Sequence, residues 1–115
     1  MQISLLKLGS ALARTLVDSL KSDSARVKSL AIAEGRKLAI ALSEIAGLLA
    51  REEIDMTEAR LLVNVQRSAS EAVLASLAEI ARRDAVKAVK LALGQAIGLI
   101  DKSAGSALLR GLTSN

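Results

Sequence analysis

Apolar residues recur along this chain every three to four positions and not at alternate ones, the pattern of amphipathic helices that bury one side. Polar interruptions divide it. The strongest is Arg51-Glu52-Glu53-Ile54-Asp55-Met56-Thr57-Glu58, where one periodic segment stops and Asp55-x-x-Glu58 offers a capping box for the next. A hairpin bend is expected there. Lys21-Ser22-Asp23-Ser24 supplies three candidate caps for a helix over 25–51, preceded by an amphipathic helix over 1–21. The glycine- and serine-containing stretch 103–115 is expected to be a loosely ordered tail.

The segment 56–101 contains no obvious breaker, yet its apolar stripe changes side. At about 100° per residue, Leu62, Val65, Val73, Ser76 and Ile80 fall within about 40° of Ala69, with Arg60, Arg67, Glu71 and Arg82 opposite. Beyond Arg82 the order reverses. Val86, Val89, Leu93, Ile97 and Ile100 form the apolar cluster, while Arg83, Asp84, Lys87, Lys90 and Asp101 occupy the formerly apolar sector. One straight helix cannot bury both stripes against a single neighbour. A kink or break near 82–85, with Asp84 as a new N-cap, or two halves with different partners, would resolve the conflict.

The expected architecture is therefore all-α: a single domain built as a long antiparallel helical hairpin with both arms interrupted, forming a four-helix bundle within the chain or by homo-oligomerisation. Opposite positions across the bend pair 25–51 with 56–82, and the N-terminal segment with 85–100. Composition agrees. Of the residues 51% are apolar, chiefly Leu and Ala, with no aromatic residue and no proline, which favours helices over strands.

The same composition removes much chemistry. With no cysteine and no histidine there is no disulfide, no thiolate or imidazole metal ligand, and no Ser-His or Cys-His nucleophile pair. Ser4-Leu5-Leu6-Lys7 matches an S-x-x-K string in isolation, and the carboxylates mostly neighbour basic residues at helical spacing, as Arg67 does Glu71, which reads as solvated ion-pair decoration. No catalytic residue, metal or cofactor is expected.

Small residues offer another signal. Ala31, Gly35, Ala39, Ser43 and Gly47 recur at spacing four, and part of that row suits a close helix contact. Gly94-x-x-x-Gly98 and the row Ala88, Ala92, Ala96 could act similarly. The longest uncharged run, Leu91 to Ile100, is too short to span a bilayer, and Lys7 and Arg14 interrupt the N-terminal apolar stretch, so neither a transmembrane helix nor a secretory signal is expected. The formal net charge is +4, with the basic excess in the two terminal segments, so their pairing would gather it at one end beside apolar stripes. That combination suits an anionic membrane surface or an acidic partner through Lys7, Arg14, Lys87 and Lys90. Without basic runs or an aromatic platform, nucleic acid is not expected.

These features together point to a non-catalytic structural or assembly protein. It is expected to self-associate through Ala31, Gly35 and Ala39 and through Val86, Val89, Leu93, Ile97 and Ile100, as a homo-oligomer or beside another protein in a virion part, shell or filament. The alternative is an amphipathic protein that binds membrane surfaces or hydrophobic particles through its terminal segments. Either fits the cytoplasm or a particle assembled inside the cell.

Overall fold

The computed structural model describes residues 3–104 together with 109 and 112. Four helices follow one another: α1 Leu5–Leu20, α2 Ala25–Ala50, α3 Met56–Leu77 and α4 Arg82–Ala104. There is no strand among the described residues. α1 packs on α2 and α4, α3 packs on the same two helices, and α2 meets α4 between them. Of the two arrangements left open above, one chain thus gathers its own four helices around a common core.

Local chemistry sets the helix starts. Ser4 Oγ accepts from the Lys7 amide at 3.1 Å and Ser24 Oγ from Val27 at 3.3 Å. Before α3 the capping box forms in full: Asp55 Oδ1 accepts from the Glu58 amide at 2.8 Å, and Glu58 Oε1 from the Asp55 amide at 2.9 Å. Each connection then turns through a non-glycine residue in the left-handed region, Lys21 (φ 51°), Glu52 (φ 59°) and Glu79 (φ 57°).

Side-chain meetings give the directions. A Cβ placed on Gly9 would lie beside Arg36 and Ala39, and one on Gly35 against Ala13, so α1 and α2 run antiparallel. Arg26 Nε donates to the Leu77 carbonyl at 3.1 Å, joining the start of α2 to the end of α3. Leu109, just past α4, packs with Ala46 and Ile97, so α4 ends beside the end of α2. The core is aliphatic: Leu8, Leu12 and Leu16 project from successive turns of α1 toward Leu38, Leu42, Leu74 and Val89, while Ala85, Ala88, Ala92 and Ala96 give α4 a flat inner side.

Two details differ from the sequence reading. The interruption falls over 78–81, about one turn before the expected site, and Asp84 lies inside the first turn of α4 instead of capping it. The Ala81 carbonyl takes the Asp84 and Ala85 amides at 2.9 and 3.0 Å. A glutamate adopting the left-handed conformation ends α3, and no glycine marks the place. Most of the tail lies outside the described residues, but Leu109 is fully buried. Its amide donates to both carboxylate oxygens of buried Asp101, at 2.9 and 3.1 Å.

Candidate interaction surface

The small-residue row of α2 is spent inside the chain. Ala31, Gly35 and Ala39 are buried, and a Cβ at Gly35 would fall 2.6 Å from the Ala13 nitrogen and 2.7 Å from its Cα. α1 therefore crosses α2 in near backbone contact. The α4 stripe is likewise internal: Val89, Leu93 and Ile97 are buried, while Val86 and Ile100 are half-buried. These eight residues are already covered by other helices of the chain, wholly or in part, so the surface available to a partner lies elsewhere.

Lys7, Arg14, Lys87 and Lys90 are all exposed, but they do not meet at one end. α1 and α4 run antiparallel, with Thr15 hydrogen-bonded to Gln95 between them, so Lys7 at the start of α1 and Lys87 at the start of α4 lie at opposite ends. The terminal segments spread their basic charge along the bundle. A different polarity results: Glu52, Glu53, Asp55 and Glu58 gather at the α2–α3 bend against Arg51, which pairs with Glu53. At the other end, Lys21, Arg26, Lys28, Arg82, Arg83, Lys87 and Lys90 outnumber Asp18, Asp23, Glu79 and Asp84.

α3 supplies the surface that the stripe calculation placed inside. It turns Ala59, Val63, Ser70, Glu71 and Leu74 inward, roughly 130° from the Ala69 stripe. Leu61 is left 65% exposed, Leu62 40%, Val65 61% and Leu77 49%. Aliphatic residues lie on two sides of this helix, and no rotation buries both. Glu71, only 4% exposed, is reached by Arg67 Nη1 at 3.4 Å, so this pair belongs to the inward side and is not solvated decoration. Between Arg60 and Glu79 these two are the only charged residues. The outward side of α3, carrying Leu61, Leu62, Asn64, Val65, Ser68, Ala69, Ala72 and Ser76, has no charge at all. Leu61, off the main stripe, was expected to stay exposed on a single hairpin; the exposure of Leu62 and Val65, which lie on the stripe, was not, although the missing charges were visible in the sequence.

A smaller apolar patch begins α1, where Leu6 (79% exposed) and Leu5 border a groove with Gly9, Ser10, Arg36 and Ile40. Among the described residues no helix is long and apolar enough to cross a membrane.

Reactive groups do not converge. Ser4 serves as the cap of α1, and buried Glu34 is met by Lys37 Nζ at 3.1 Å, as Glu71 is by Arg67. Among the described residues there is no group of acidic side chains fit to hold a metal, and no buried side-chain nitrogen or oxygen lacks a partner. Compared with known proteins, the chain matches no family model, and no curated protein and no solved structure is significantly similar to it.

Proposed function

We propose that this protein is a non-catalytic assembly protein, a self-associating helical bundle that serves within a larger complex such as a virion part, shell or filament, and that it docks through the outward side of α3. The supporting observation is the exposure of Leu61, Leu62 and Val65 on a helical face without charge, while the Arg67–Glu71 ion pair is turned inward. Because no rotation of α3 buries both of its apolar sides, a partner is needed to cover the outward one, and burying one such aliphatic side chain is worth about 1.5–3 kcal/mol. Light scattering coupled to size exclusion tests the reading. The wild-type chain is expected to gain mass with concentration, and Val65→Glu to remain monomeric at every concentration with its helix content unchanged. A wild-type chain that stays at 12.0 kDa throughout would overturn it.

A second reading rests on Leu5 and Leu6, exposed beside Lys7 at the start of α1. Two aliphatic side chains beside a lysine suit insertion at an anionic membrane surface. Flotation with phosphatidylserine-containing vesicles at low salt should then carry the wild-type chain and leave Leu6→Glu behind. Equal recovery of the two would dismiss that contact.

A further inference from the structure

Resting on the assembly reading above, we infer that the partner of α3 is α3 of a second copy, laid antiparallel about a two-fold axis close to Ala69. Leu62, Val65, Ala69, Ala72 and Ser76 follow one another at intervals of three, four, three and four, and all five are exposed. That is the spacing of a helix–helix seam. Its members shrink along the chain, from leucine and valine to alanine and serine. An antiparallel copy sets Leu62 against Ser76, Val65 against Ala72 beside the half-buried Val73, and Ala69 against itself, so within the exposed seam each large residue meets a small one. A parallel copy would stack Leu62 on Leu62 and leave a gap between the two Ser76 side chains.

Charge gives the same direction independently. The bend at the start of α3 is acidic through Glu52, Glu53, Asp55 and Glu58, whereas Arg82, Arg83, Lys87 and Lys90 follow its end, beside Lys21, Arg26 and Lys28. Antiparallel copies set the acidic end of each against the basic end of the other, twice by symmetry. Parallel copies would oppose like charges. A lipid surface fits this face less well, because membrane-surface helices carry basic residues beside their apolar side, and the one basic residue between Leu61 and Ser76, Arg67, is engaged by buried Glu71.

From Leu61 to Ser76 the face is about 22 Å long, a small contact, so association is expected at micromolar concentrations and to weaken as salt is added. The chain has no cysteine, so cross-linking reads the register directly. Leu62→Cys and Ser76→Cys are prepared as separate full-length variants and oxidised alone and as a mixture, with circular dichroism verifying the fold. In the inferred pair, copies of residue 62 lie about 21 Å apart, far beyond the roughly 4.4–6.8 Å between Cα atoms that a disulfide spans. The mixture is therefore expected to yield about tenfold more covalent dimer than either variant alone. Self-linkage of Leu62→Cys would overturn the antiparallel register and leave self-association standing. No covalent dimer from the mixture, with the wild-type chain still associating, would place the contact away from this seam. A wild-type chain monomeric by light scattering would remove the underlying assembly reading as well.

Discussion

Gly35 and Gly94 show how much one residue's role depends on what lies opposite. Both are helical glycines in rows of small residues. A methyl group at Gly35 would strike the backbone of Ala13, which cannot swing aside, whereas at Gly94 and at Gly98 it would meet nothing within 4 Å. Gly35→Ala should therefore cost about 2–3 kcal/mol even after the gain in helix propensity. Gly94→Ala should stabilise by about 0.5–1 kcal/mol. Urea denaturation of the two variants beside wild type checks both signs. Spacing could nominate Gly35 as a contact, and it offered Gly94-x-x-x-Gly98 as a weaker candidate of the same kind. Only the passage of α1 separates them.

At the scale of the elements, starts were more legible than ends. Ser24 and the Asp55–Glu58 box act within three residues of chain, so their chemistry is written locally. The end of α3 is not. It depends on Glu79 in the left-handed region and on Arg26, distant in sequence, binding the Leu77 carbonyl. A glycine there would relieve the side-chain conflict, and Glu79→Gly is expected to stabilise by about 0.5–1 kcal/mol, raising Tm by a few degrees. Beyond α4, Asp101 fixes Leu109 by accepting its buried amide. Asp101→Ala should cost about 1–3 kcal/mol and abolish hydrogen-exchange protection of that amide. Retained protection would show that another group holds Leu109.

For the molecule as a whole, association and stability should be linked, because a partner that binds only the folded chain raises its apparent stability by mass action. The wild-type melting temperature is expected to climb with protein concentration, and that of Val65→Glu to stay flat. Differential scanning calorimetry at two concentrations distinguishes the cases. The rise should shrink at high salt, since the two ends of the bundle differ in charge and surface charges are screened.

Helical class, the bend over 51–58 and the capped starts were readable along the chain because propensity and capping act over three or four residues. A wholly aliphatic core was likewise evident from the absence of aromatic residues. Which aliphatic side faced inward was another matter. α3 carries apolar residues around Val63 and Leu74 as well as around Leu62 and Val65, so its own periodicity permits two orientations. The choice came from packing against α2 and α4, with Arg67 supplying the charge that lets Glu71 sit inside. The same packing drew Val89, Leu93 and Ile97 into the core and left Leu61, Leu62 and Val65 outside. A single helix records which residues share a face; only its neighbours settle whether that face meets the core or the solvent.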